Sequence, residues 1–130
     1  MKTALKRQML RLMTKASKEL GNRAETLASQ YLKKKTFKIL QRNLRTKYGE
    51  IDILALDGET LVLVEVKAKT SDTFGAAVEM ITPTKQKKLL LLARELQSEY
   101  QTEDVRIDAL VIDQAETEPI SEHIVGIVEA

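Results

Sequence analysis

The chain has 130 residues with no cysteine and no tryptophan, and is 43% hydrophobic and 31% charged. Such a composition fits one globular domain and excludes a disulfide framework, a cysteine-ligated zinc site, and disordered or fibrous architectures. The net charge of +2 averages two unequal parts: residues 1–48 carry 14 Lys and Arg against Glu19 and Glu25, whereas residues 49–130 carry 7 against 17 acidic residues.

Residues 1–20 form a basic amphipathic extension, in which Leu5, Met9, Leu12, Met13, Ala16 and Leu20 recur at helical spacing. Lys and Arg interrupt every stretch, so no signal-peptide core is present, and no run nears the roughly 18 apolar residues of a membrane span. The stripe packs on its own domain or a partner, or lies on an anionic membrane surface. A cysteine-free chain of this kind is expected in the cytoplasm.

The main domain is expected over residues 21–130. Gly21-Asn22 interrupts the first pattern, and Ala24, Leu27, Ala28, Tyr31 and Leu32 then give the i, i+3, i+4, i+7, i+8 spacing of a helix. Phe37–Leu40 reads as a short strand. Glu50–Leu56 and Thr60–Lys69 read as a hairpin around Asp57-Gly58. Thr82-Pro83 pairs an N-cap with proline at the first helical position, opening a helix to about Tyr100. Val105–Asp113 and His123–Val128 read as further strands. The order α(α)βββαβ(β) describes a mixed α/β domain with a three-stranded meander and a crossover strand.

Alternation along the hairpin places Val62, Val64, Val66 and Ala68 on one face, and Leu61, Leu63, Glu65, Lys67 and Lys69 on the other. In the preceding strand Ile51, Ile53 and Ala55 face one way, and Glu50, Asp52 and Leu54 the other. A two-residue loop pairs position 56 with 59, and a four-residue loop pairs 56 with 61. Either register leaves Asp52, Glu65 and Lys67 on one face, with the carboxylates about 4.5–8 Å apart. Such carboxylates repel, and a divalent cation such as Mg²⁺ removes the conflict while leaving positions for water and phosphate. Lys67 would point at the same water or phosphate. These are parts for metal-assisted phosphodiester hydrolysis.

Tyr48-Gly49-Glu50-Ile51-Asp52-Ile53-Leu54-Ala55, Asp57-Gly58 and Leu61-Val62-Leu63-Val64-Glu65-Val66-Lys67 resemble the PD-(D/E)XK nuclease superfamily, and more closely the small bacterial YraN family of endonuclease-like proteins. Gly21…Glu25…Ala28…Tyr31-Leu32, Ile39-Leu40…Asn43…Arg45, Phe74-Gly75 and Arg106-Ile107-Asp108 are similar to further segments of that family. The layout also resembles that of archaeal Holliday-junction resolvases: a helix carrying Glu, then Asp, then Glu-x-Lys. The resemblance implies a restriction endonuclease-like fold, a three-layer αβββαβ core with a mixed central sheet. It implies that Asp52, Glu65 and the Val66 backbone carbonyl hold Mg²⁺ or Mn²⁺, that Lys67 serves the attacking water, and that Glu25 lies near the metal. Ala24 stands where the family usually has glycine, Lys69 where arginine is frequent, and Gln86 is alone of a Gln/Tyr motif; these departures bear on substrate rather than chemistry.

The basic residues supply a DNA-binding flank, for which Lys35, Arg42, Arg45, Lys47, Lys69, Lys85 and Lys88 are the candidates. Aromatic residues make up only 4%, so no base-stacking platform is evident and backbone and shape recognition of duplex or branched DNA is expected. Paired cuts on a four-way junction would call for a homodimer, although no residue marks its contact. His123 receives no role. The first reading is therefore a metal-dependent DNA endonuclease; the second is a non-catalytic nucleic-acid-binding protein that keeps the fold.

Overall fold

In the computed structural model, residues 23–69, 81–113 and 120–128 are described, except for the side chains of Lys69 and Ser121. The expected N-terminal extension and Phe74-Gly75 lie outside these residues. The apolar spacing at Ala24, Ala28 and Leu32 builds helix α1, described over 23–34, with all three side chains buried. The chain then forms β1 (Lys38–Thr46), β2 (Gly49–Asp57) and β3 (Thr60–Lys69), followed by α2 (Pro83–Tyr100), β4 (Val105–Asp113) and β5 (Ile120–Ile124).

The strands make one sheet in the order β1-β2-β3-β4-β5. The first three form an antiparallel meander, β4 joins β3 in parallel after the α2 crossover, and β5 is antiparallel to β4. α1 covers one face, where Ala24, Ala28, Leu32 and Phe37 pack on Ile53, Ala55, Val62, Val64, Leu110 and Ile112. α2 covers the other, bringing Leu89, Leu92, Ala93 and Leu96 onto Ile51, Leu54, Leu61, Leu63, Ile107 and Ala109. The result is a mixed α/β domain in three layers, with apolar side chains from both sheet faces forming two cores.

Several details depart from the expected elements. β1 extends to Thr46, well beyond Leu40, because Gln41–Thr46 is an edge segment held by its ladder with β2 rather than by apolar burial. β5 begins at Ile120 and ends at Ile124, earlier than the expected His123–Val128. At Gly126, whose φ is 66, the chain leaves the ladder. Ile127 and Val128 then pack against the α2-side core. The hairpin adopts the register that pairs Leu56 with Leu61, and Asp57↔Thr60 also pairs, leaving Gly58-Glu59 as the loop. Gly58, with φ 62, supplies the left-handed conformation that this tight turn needs. α2 forms as its sequence indicates: the Thr82 side chain accepts a hydrogen bond from the Lys85 N–H at 3.2 Å, and Gln101 closes the helix in the left-handed conformation.

Candidate functional site

Strict alternation fails at one place in β2. Ile53 packs on the α1 side, whereas Ile51 joins Leu54 on the α2 side, so the expected grouping of Ile51 with Ile53 does not hold. The residue between them is Asp52. Opposite this stretch in β1, Asn43 lies between the pairs Arg42↔Ile53 and Leu44↔Ile51 and has a φ of 54. On the other side, the paired residues of β2 and β3 end at Ile53↔Val64, while β3 continues against β4 as far as Lys69↔Asp113. Beyond Val64 the Asp52 side chain takes over from the ladder: its Oδ2 accepts the Val66 N–H at 2.7 Å.

Three carboxyl groups from different elements meet at this break. Glu25 comes from α1, Asp52 from β2 and Glu65 from β3; Glu25 and Glu65 are 8% and 5% exposed. Burial pushes the Glu65 carboxyl above its ordinary range, and the Asp52 charge adds to the rise, while Lys85 and Lys67 oppose it. Burial likewise raises Asp52, against the Val66 N–H and the two lysines. Glu25 is raised by burial and by Asp52, against a hydrogen bond from the Asn43 side chain and the charge of Arg42. Glu25 and Asp52 lie close enough that each shifts the titration of the other.

Two ammonium groups complete the cluster. Lys67 Nζ lies 3.5 Å and Lys85 Nζ 3.6 Å from the same Glu65 Oε1. On the α1 side, Arg42 Nη2 is 3.7 Å from Glu25 Oε2 and donates to Thr26 Oγ1 at 3.2 Å. Glu25 Oε2 itself is shielded from solvent and makes no hydrogen bond among the described residues; nor does Ser29 Oγ, one helical turn further along α1. Carboxylate oxygens are the donors a hard divalent cation such as Mg²⁺ or Mn²⁺ takes, though among the described residues no three acidic side chains stand close enough to ligate one ion as they are placed.

The structure thus brings Asp52, Glu65, Lys67 and Glu25 together, with the Val66 backbone beside them. The cationic candidates divide. Lys85 is part of the cluster, and Lys88 lines a small cavity of about 150 Å³ with Lys85, Tyr48 and Gly49. Lys47 stands at the β1–β2 turn, its ammonium 5.1 Å from the centre of the Tyr48 ring. Arg45 pairs with Glu50 at 3.3 Å. Lys35 falls near the far end of α1, about 15 Å along the axis from Glu25, with its ammonium 5.7 Å from the Tyr31 ring. The Lys69 side chain lies outside the described residues.

Sequence reasoning misses the contact of Lys85 with Glu65 and the part played by Asn43. The N-cap at Thr82 is a usable signal for the first, because it sets where α2 begins; the left-handed backbone at Asn43, within an unshifted stretch of the β1–β2 register, has no period-based signature. Nor does the sequence suggest a role for His123, which belongs to a second polar network. Asp108, fully buried in β4, accepts from Arg106 Nε at 2.8 Å and from the Gly126 N–H at 3.0 Å, and bonds His123 Nε2 at 2.9 Å. Tyr31 OH meets the other His123 nitrogen at 3.2 Å, and Arg106 also reaches Asp57 at 3.1 Å. This network ties α1, β2, β4 and β5 together.

A mixed five-stranded sheet between helices, with a cluster of buried carboxylates and lysines where two strands part, defines the class of this protein. Residues 24–112 match the model of the family described as uncharacterised protein family UPF0102, and the chain belongs to that family. It is 41% identical over 102 residues to a UPF0102 protein of Vibrio campbellii, covering 75% of this chain and 83% of the relative. A UPF0102 protein of Thermodesulfovibrio yellowstonii is 45% identical over 106 residues, covering 78% and 92%. That of Caldicellulosiruptor saccharolyticus is 50% identical over 76 residues, covering 58% and 64%. Among the described residues, no helix is long and apolar enough to cross a membrane.

Proposed function

We propose that this protein is a Mg²⁺- or Mn²⁺-dependent DNA endonuclease with a PD-(D/E)XK, restriction endonuclease-like core akin to that of archaeal Holliday-junction resolvases. The observation that carries this reading is the convergence of Glu25, Asp52 and Glu65 with Lys67 and Lys85 at the break between β2 and β3. Asp52, Glu65 and the Val66 carbonyl would hold the metal, with Glu25 beside them. The bound cation would supply charge for the phosphoryl oxygen and lower the pKa of a water.

The chain's own groups have separable tasks. Lys67 is short of full burial and 3.5 Å from Glu65, so its ammonium can turn from that carboxylate to a water or a phosphate oxygen. Lys85 offers a second cation from the start of α2, where the helix N-terminus also favours anions. Asn43 and Arg42 hold the Glu25 carboxyl in place.

The test is a cleavage panel of linear, flapped, forked and four-way DNA with Mg²⁺ or Mn²⁺. Asp52→Asn, Glu65→Gln and Lys67→Ala are each expected to lower the rate by about 10²-fold or more. Undiminished cutting by these variants, or no cutting of any substrate by the parent protein, would remove the proposal.

A further inference from the structure

We infer that the cleft between the β1–β2 turn and the outer face of α2 receives an unpaired nucleotide of the DNA engaged at the carboxylate cluster; this deepens the nuclease reading and rests on it. The turn presents Tyr48, 38% exposed, and α2 presents Leu91, 45% exposed. With Lys47, Arg94 and Glu95 they line a cleft of about 580 Å³. It is a shallow groove, largely open to solvent, and not an enclosed cavity. Tyr48, with the Lys47 ammonium 5.1 Å from its ring centre, and Leu91 set a large aromatic and a large aliphatic side chain in one groove, and a nucleobase that moves Lys47 aside would meet apolar surface there.

Charge separates the parts of the nucleotide. Glu95 and Glu99 balance Lys47 and Arg94 in this cleft, which suits a neutral base better than a phosphate run. The neighbouring small cavity shares Tyr48 but holds Lys85 and Lys88, and its Glu50 is paired with Arg45. Phosphates therefore fit at Lys85 and Lys88, with the base beyond them at Tyr48. Lys85 is also 3.6 Å from Glu65, so one side chain belongs to both the carboxylate cluster and the small cavity.

A base inside a duplex has both faces stacked on its neighbours, so only an unpaired or extruded one can offer a face to Tyr48. The substrate class that follows is DNA with unpaired nucleotides beside the cut, such as a flap or an open junction, in preference to flush duplex.

The test places 2-aminopurine in a short single-stranded flap next to duplex DNA and titrates it with the full chain in EDTA, where cutting is suppressed. Stacking should quench the fluorescence with the parent and with Tyr48→Phe. Tyr48→Ala should bind the flap about 5- to 150-fold more weakly, the loss of one base–aromatic stack. No quenching by the parent, or equal flap affinity for Tyr48→Ala, would overturn the inference. Cleavage is read separately. If the parent cuts flush duplex and flap alike and Tyr48→Ala cuts both as fast, the cleft assignment falls while the nuclease reading stands. Tyr48-dependent quenching by a protein that cuts nothing supports the cleft and removes the nuclease reading.

Discussion

Replacing Asp52 by asparagine and by alanine separates two tasks of one carboxylate. Its Oδ2 accepts the Val66 N–H at 2.7 Å, just past the last β2–β3 pair, Ile53↔Val64. The Asp52→Asn change keeps an acceptor for that donor, whereas Asp52→Ala leaves a half-buried N–H without one, at a cost of about 1–3 kcal/mol. For a chain of 130 residues each kcal/mol moves the melting temperature by about 3–5 °C, so the alanine variant should melt about 3–15 °C below the parent. The asparagine variant should behave differently. Burial drives the Asp52 carboxyl up, and its charge raises both Glu65 and Glu25, so loss of that charge relieves repulsion between buried groups. In EDTA it should melt at or above the parent temperature. Mn²⁺ at ten times its Kd should stabilise the parent by about 1.4 kcal/mol, or about 4–7 °C, and the asparagine variant far less. Circular-dichroism melts with and without Mn²⁺ read all of these. If the asparagine variant is as unstable as the alanine variant, or gains as much from Mn²⁺ as the parent, the division of roles is wrong.

Two further substitutions probe the frame. Asp108 is held below the ordinary carboxylate range: burial alone would raise it, but hydrogen bonds from His123, Arg106 and the Gly126 N–H outweigh burial. A depressed folded pKa stabilises the fold above the unfolded carboxylate value and loses that effect as pH falls from there through the folded value. Asp108→Asn should therefore cost about 3–5 kcal/mol at neutral pH, and urea titrations should show the gap to the parent narrowing below about pH 4; a gap constant with pH would refute this. At the end of α2, Gln101 has φ 52 and ψ 47, so Gln101→Gly should raise stability by up to about 1 kcal/mol in the same assay. Equal or lower stability would show that the Gln101 side chain outweighs its backbone strain.

The legible parts of the structure are those in which periodicity and local capping agree. Helix α2 runs from the Thr82-Pro83 signal to Tyr100, and the apolar alternation of β3 separates Val62 and Val64 from Leu61 and Leu63 onto opposite faces, as expected. β1 is harder to bound because an edge strand needs little apolar burial, so Gln41–Thr46 looks polar while pairing with β2 along its length. The end of β5 is obscured because Val125, Ile127 and Val128 are as apolar as strand residues; the left-handed Gly126 and its N–H bond to Asp108 end the strand before them. The role of His123 depends on a contact 92 residues away, with Tyr31, and no local pattern carries such a pair.

The carboxylate site shows the same limit from the other side. Alternation brings Asp52 and Glu65 together on one face, and the residues do converge, but along a different route. Glu65 belongs to the α2 side, where Lys85 meets it, while Glu25 belongs to α1 on the opposite layer. Had β2 kept its two-residue period, the sheet would stand between those layers and an aspartate would face only one of them. The departure at Asp52, marked by the reversed side of Ile51 and the left-handed Asn43, lets one carboxylate couple to both glutamates while it bonds the Val66 backbone. Regular strand geometry accounts for the frame; the interruption of that geometry accounts for three acids and two lysines meeting in one notch.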